Sequence, residues 1–328
     1  MVSFADISKA QQRIAPYIQT TPIMQSGLLN KWLGHEVLFK VEALQTTGAF
    51  KLRGATNFIA KLAEQNKLPN KIVANSSGNH AQAVAYAGAL FNVPVSIYCS
   101  QTISVVKAAA TEYYGAELRV YESREDADGA VQLASEDSGT VWIPPFNHQD
   151  IIAGQGTATA EAFQQIDDAI DAVFAPCGGG GLLGGSLIAT RHLWPNAQVI
   201  GAEPMNANDA AQSLQQGSIQ ALSSTPDTLA DGAATPSVGD LTFPLLQQLD
   251  DFYEVEEAQI AYWTQWINHL LKIHVEPTCC MTMAAVAAWL GEQSSPKRVL
   301  VLLSGGNISP ASMQKIWSQD YLAHPPML

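Results

Sequence analysis

The chain alternates short β-rich runs with longer Ala- and Leu-rich stretches, and this rhythm restricts its fold more than any other feature. The runs are "EVLFKVE" (36–42), "KIVANSS" (71–77), "PVSIYCS" (94–100), "ELRVYES" (117–123), "AVFAPCGGGG" (172–181), "QVIGAEP" (198–204) and "RVLVLLSGGN" (298–307). Parallel neighbours need a crossover between them, so the alternation predicts an α/β fold with mostly parallel sheets flanked by helices. Several runs end in Gly, Ser or Asn. Open parallel sheets place ligands there, in the crevice beyond the strand C-termini, so the ligand site is expected to gather these ends. No internal repeat or long linker divides the chain, and "SSTPDTLADGAATPSVGD" (223–240) reads as turns.

Composition narrows the partners. A chain of 328 residues, 47% hydrophobic and 14% charged, can bury a large core in one big or two moderate domains. Its net charge of -13 argues against nucleic acid and anionic membrane, which need basic surface to release counterions. The opening "MVSFADISKAQQRIAPYI" lacks a basic start followed by an apolar run. It reads as an amphipathic helix with Phe4, Ile7, Ile14 and Ile18 inward, not as an export signal. No apolar stretch approaches a membrane span, and Cys99, Cys177, Cys279 and Cys280 show neither CxxC spacing nor a disulfide framework. A reduced, cytoplasmic setting is expected.

Four segments carry chemistry. "APCGGGGLLGG" (175–185) puts four glycines between a strand and a Leu-rich helix. Without Cβ atoms, successive N–H groups can converge on an anion, and the helix N-terminus adds partial positive charge. The spacing is not GxGxxG and no Lys-Ser or Lys-Thr follows, so a phosphate-bearing cofactor fits better than nucleotide hydrolysis. "NSSGNHAQAVAYAG" (75–88) crowds hydroxyls and amides at a second strand-to-helix junction. Ser76, Ser77 and Asn79 suit helix capping, but capping needs only one of them, and the group also suits gripping a carboxylate. "GAEPMNANDA" (201–210) offers Glu203 and Asp209 with intervening carbonyls, either a polar loop or a site for a hard cation. "TTGAFKLRGA" (46–55) sets Lys51 after Ala49 and Phe50, between a turn and a probable helix. A lysine amine near a phosphate-binding glycine loop is what holding pyridoxal phosphate as an imine requires, although a surface lysine reads equally well from this segment alone.

Taken in order, "TGAFKLRGA", "SSGNHAQAVA", "IIAGQGT", "CGGGGLLGG", "GAEPMNAND", "TLADGAA", "GDLTFP" and "LSGGN" resemble the fold-type II pyridoxal-phosphate enzymes, specifically the serine/threonine dehydratase and serine racemase branch, across roughly residues 20 to 310. The resemblance implies that Lys51 carries the cofactor and acts as the base at Cα, with Phe50 beside it. It implies that Gly178, Gly179, Gly180 and Gly181 bind the phosphate, that Asn79 contacts the pyridine hydroxyl oxygen and that Ser304 meets the pyridine nitrogen. Ser76, Ser77, Gly78, Asn79 and His80 match the substrate-carboxylate loop. A serine at the ring nitrogen does not strongly favour the pyridinium, which favours prompt β-elimination over transamination, and the bound phosphate is expected to protonate the departing hydroxyl.

Two features narrow the branch. Glu203, Ala207 and Asp209 match a divalent-cation site, for magnesium or calcium, in racemase-like members, with Ala207 giving its carbonyl. Ser77 stands where serine racemases keep the opposite-face acid/base, though related dehydratases carry it too. At this length the chain is expected to lack the regulatory domain of biosynthetic threonine dehydratases. In "VEPTCCMTMAAV" (275–286), Thr278, Cys279 and Cys280 replace the smaller residues usual in relatives and are expected to alter pocket size. Arg124 reads as a solvated arginine or as a reader of an acidic substrate side chain. Tyr114 reads as helix packing or as a substrate neighbour. The expected architecture is a large domain of residues 1–67 and 148–328 with a small domain, 68–147, inserted in it. The expected reaction is dehydration and deamination of a small L-3-hydroxyamino acid (serine, threonine or 3-hydroxyaspartate) to a 2-oxo acid and ammonia, with serine racemisation as the alternative. β-Replacement fits less well because of the cation motif, and a homodimer is the family expectation.

Overall fold

All seven β-rich runs form strands, in a computed structural model that describes residues 2–327. The strands are β1 (Ile23–Met24), β2 (Glu36–Val41), β3 (Lys71–Asn75), β4 (Val95–Ser100), β5 (Glu117–Tyr121), β6 (Thr140–Trp142), β7 (Ala172–Pro176), β8 (Gln198–Pro204), β9 (Asp251–Val255) and β10 (Arg298–Leu303). They make two sheets, a six-stranded one in the order β1-β2-β10-β7-β8-β9 and a four-stranded one in the order β5-β4-β3-β6. Every pairing is parallel except the short antiparallel contact of β1 with β2. Both sheets are flanked by helices, so the expected α/β class holds. Three strands escaped the sequence reading: β1, β6 and β9.

Side-chain alternation explains why the central strands look uniformly apolar. Val37, Phe39 and Val41 of β2, and Val299, Val301 and Leu303 of β10, enter one core; Leu38, Leu300 and Leu302 enter the core on the opposite face. Both faces are covered, as parallel sheets require, so no polar register survives. Lys40 follows the same parity as Leu38 and is fully buried, which only a charge partner permits. That partner is Glu161, on the helix Gln149–Gln164, with Lys40 Nζ 2.6 Å from Oε1. Arg53, on the helix Lys51–Glu64, is equally buried, and its guanidinium forks onto Glu42 and Glu161. Two cations and two carboxylates thus tie the Lys51 helix to β2 and to the Gln149–Gln164 helix.

The N-terminal helix spans Phe4–Ile14, capped by Ser3, with Ile7 and Ile14 buried as its pattern predicts; Ile18 lies beyond its end. Among the described residues no helix is long and apolar enough to cross a membrane, and all four cysteines are free and buried.

Candidate active site

The strand ends converge. β3 leads into Ser76–His80 and the helix Asn79–Leu90, β7 into the four glycines and the helix Gly181–Leu193, and β10 into Ser304. Together with Phe50 and Lys51 these segments line one cavity of about 700 Å³. All of the cofactor- and substrate-binding candidates named from the sequence border it. Ser304 also braces the lysine turn, its carbonyl accepting from Phe50 N at 2.9 Å.

Lys51 is the first residue of its helix. Nζ donates to the Pro145 carbonyl at 2.7 Å and lies 5.1 Å from the Phe50 ring centre. Burial lowers its pKa to about 8, against the opposing pull of Glu276. The amine is therefore available as a neutral nucleophile far more often than a surface lysine is. Opposite sequence elements supply a cradle of backbone. Gly180 has φ +87, left-handed and strained for other residues, and a Cβ at Gly179 would overlap the Phe146 ring. Glycine is required here by both backbone conformation and crowding, and the loop opens onto a helix N-terminus, an anion-binding arrangement.

In the loop after β3, Gly78 N donates to Ser76 Oγ at 3.1 Å, and Ser77 Oγ lies 3.4 Å from Ser100 Oγ. His80 Nε2 meets the Ile143 carbonyl at 2.9 Å, which assigns it the proton and leaves Nδ1 without a partner. Burial and the Lys51 charge press its pKa down to about 3, so the ring stays neutral. Asn79 Nδ2 donates to Glu276 Oε1 at 2.6 Å.

Sequence reasoning missed three charged neighbours. Lys107, on the helix Val105–Tyr113, is buried in the cavity wall and pairs with Asp231 Oδ2 at 2.5 Å. Although burial opposes its charge, Asp231 and Glu276 hold its pKa above the ordinary value. Glu276 is the third. A lysine in the otherwise apolar "SVVKAAA" and the acid in "VEPT" were the available signals. Arg124 is only part-exposed; it lines the cavity and donates to the Ala234 carbonyl at 2.7 Å, which departs from the solvated reading. Tyr114 borders a separate cavity, its hydroxyl 3.4 Å from the Thr46 carbonyl. Thr278 lines the main cavity and accepts from Gly232 N at 3.0 Å, whereas Cys279 and Cys280 turn into the hydrophobic core. The expectation that both cysteines reshape the pocket fails, because of these three residues only Thr278 borders the cavity while Cys279 and Cys280 pack in the core behind it.

The cation candidates lie apart from this cavity, at the end of β8. Glu203 and Asp209 are buried, with Glu203 accepting from Ala210 N and Ala211 N at 3.2 and 2.7 Å. Both oxygens of Asp209 lack any hydrogen-bond partner. Burial pushes the two carboxyls up to about 9 and about 7 respectively. Ala207 is buried in the turn between them, and among the described residues no cluster of three or more His, Cys, Asp and Glu side chains forms a metal cage.

Two mostly parallel sheets with a nucleophilic lysine, a glycine cradle for an anion and a polar carboxylate-sized loop at one crevice define an α/β enzyme built around an anionic cofactor. Residues 14–305 match the pyridoxal-phosphate dependent enzyme family, and the chain belongs to it, with the fold of its fold-type II members. It is 40% identical over 311 residues to the L-threo-3-hydroxyaspartate ammonia-lyase of Saccharomyces cerevisiae, covering 93% of each chain. It is 38% identical to the serine racemase of Schizosaccharomyces pombe, over 93% of this chain and 94% of that protein. The crystal structure of the serine racemase from Dictyostelium discoideum is similar with a TM-score of 0.86 and 36% identity, over 94% of this chain and 99% of that one.

Proposed function

We propose that this enzyme dehydrates and deaminates a small L-3-hydroxyamino acid to a 2-oxo acid and ammonia. The observation that carries the reading is the meeting, in one cavity, of the Lys51 amine, the glycine cradle and the Ser76–His80 loop. When bound, pyridoxal phosphate supplies an electron sink for the carbanion at Cα. Lys51 would hold it and, with its amine free, would take the Cα proton on Nζ; a pKa of about 8 suits proton exchange at that atom near neutral pH. The amides of Gly178, Gly179, Gly180 and Gly181 would hold the phosphate. Asn79 keeps one Nδ2 hydrogen beyond its bond to Glu276 and would offer it to the ring hydroxyl oxygen, and Ser304 would pair with the ring nitrogen. Ser76, Ser77, Gly78 and Asn79 would grip the substrate carboxylate, joined by the backbone N–H of His80, since its neutral ring leaves only a lone pair on Nδ1; Phe50 would bound the cofactor site. Lys107 and Arg124 on the cavity wall favour 3-hydroxyaspartate among the substrates, since each can meet a distal carboxylate.

Racemisation of serine is the second reading, favoured by Ser77, whose hydroxyl borders the same cavity and can return a proton to Cα. The two orphaned oxygens of Asp209, beside buried Glu203, fit a hard divalent cation, magnesium or calcium, completed by the Ala207 carbonyl and water. We further infer the division into residues 1–67 with 148–328 and an inserted 68–147, which matches the two sheets in extent, and a cytoplasmic homodimer, consistent with four unpaired cysteines. The test is a panel of L-serine, L-threonine and L-threo-3-hydroxyaspartate, with 2-oxo acid and D-serine measured together. Oxo acid in excess supports the lyase; D-serine comparable to pyruvate from L-serine overturns it in favour of the racemase.

A further inference from the structure

Glu276 holds none of the roles above, yet the protein builds a compartment for it. It starts the helix Pro277–Cys280 with its backbone clamped at both ends: its N donates to the Gly305 carbonyl at 2.9 Å, and its own carbonyl accepts from Cys279 N and Cys280 N at 3.2 Å each. Its side chain is buried on the cavity wall. A Cβ at Gly305 would overlap Oε1, so the glycine of "LSGGN" leaves the space that this carboxyl occupies. Oε2, equally buried, has no partner in the protein.

The polarity of the neighbouring hydrogen bonds determines which oxygen can carry a proton. Asn307 Nδ2 donates to the Thr47 backbone carbonyl at 2.8 Å, and a carbonyl can only accept, so the orientation of the Asn307 amide is settled. The same Nδ2 donates to Asn79 Oδ1 at 2.9 Å, which turns Asn79 Nδ2 toward Glu276. Glu276 Oε1 is therefore an acceptor. Any proton on the carboxyl must sit on Oε2, the oxygen that the protein leaves without a partner. A buried orphan of this kind beside a binding cavity is best satisfied by the ligand itself.

We propose that Glu276 is a proton-carrying residue that contacts the bound ligand through Oε2, donating to an anionic oxygen of the cofactor or the substrate. The proposal rests on the cofactor reading above. The groups facing Glu276 are Lys51, Asn79, Lys107 and Asp231, with the buried Cys279 and Cys280 behind it. Burial pushes its carboxyl up to about 7, against the pull of Lys107; Asp231 adds to the rise, and Asn79 and Lys51 oppose it. Its acid form is thus populated at and below neutral pH, where a surface glutamate is ionised.

The test compares wild-type holoenzyme with Glu276→Gln, whose amide offers an N–H in place of Oε2–H at every pH. One arm follows the visible absorbance of the bound cofactor against pH without substrate. The other measures the Kd of L-alanine, which lacks a leaving group, against pH. If the cofactor oxygen is the acceptor, a wild-type spectral titration near pH 7 disappears in the variant. If the substrate oxygen is the acceptor, wild-type affinity falls roughly tenfold per pH unit above the midpoint, beyond any slope that the variant retains. Identical pH responses of the two proteins in both arms overturn the proposal. A wild-type protein that takes up no cofactor overturns the cofactor reading instead, so the two failures are separate. Should Glu276→Gln not fold, infrared spectra of wild-type protein carrying labelled glutamate decide the matter: a protonated carboxyl band that moves on cofactor or L-alanine binding supports the assignment, and its absence refutes it.

Discussion

Glu161→Gln should cost the protein about 3 kcal/mol, the low end of the range of about 3–5 kcal/mol for breaking one partner out of a buried ion pair. Glu161 accepts from Arg53 Nη1 and Nη2 at 3.1 and 2.8 Å, from Lys40 Nζ at 2.6 Å and from Thr21 N at 3.0 Å. With Glu42 it balances two buried cations, so the cluster is neutral as built. The glutamine retains an oxygen acceptor, which places the cost at the low end, but it leaves Lys40 facing only the Thr21 carbonyl and Gln165 Oε1. About 3 kcal/mol is more than a hundredfold in the folding equilibrium. The assay is urea unfolding followed by tryptophan fluorescence, with Asp150→Asn as a control. That substitution breaks the part-exposed Lys61–Asp150 pair and should cost under about 1 kcal/mol.

The pH dependence supplies a second check on the same variant. Burial opposes ionisation of Glu161, yet the hydrogen bonds and charges of Arg53 and Lys40 outweigh it and hold the pKa below its ordinary 4.5. A depressed carboxylate contributes stability that is complete above the unfolded value and is lost as pH falls through the folded one. The gap between wild type and Glu161→Gln should therefore close under acid. A cost no larger than that of the control, or a gap that widens as pH falls, would refute the reasoning.

Lys51→Ala should abolish the visible absorbance of bound cofactor and lower oxo acid release at least about 100-fold; a retained band would remove the lysine from its assigned role. In the cofactor-free protein, acylation of Lys51 should reach half its maximal rate near pH 8, since burial has lowered its pKa to about 8, and a midpoint at the ordinary 10.5 would contradict the buried geometry. Gly179→Val drives a side chain into Phe146 and should weaken cofactor retention about tenfold or more in an equilibrium titration, with unchanged affinity counting against the cradle. Chelation should lower wild-type turnover, and Asp209→Asn should remove that sensitivity; a variant that still responds to chelator would place the cation elsewhere.

The alternation of apolar runs with helical stretches was enough to name the α/β class and the crevice at the strand ends, because strands buried on both faces must be continuously apolar. The strands that escaped, β1, β6 and β9, all lie at sheet edges, where partial exposure breaks that run and only pairing with a neighbour defines the strand. The glycine loop and the Ser76–His80 loop stood out as local motifs whose chemistry follows from adjacent residues, whereas Lys51 stood out only in company with them; the structure brings all three to one cavity. Charge partners were not. Lys107 meets Asp231 across 124 positions, Asn79 meets Glu276 across 197, and Arg53 meets Glu161 across 108. The acid in "VEPT" was a cue to Glu276 but named none of its partners, and nothing near Cys279 and Cys280 shows that they turn away from the cleft. Burial and partnership are properties of the folded chain, since only folding removes water from a charge and chooses what replaces it.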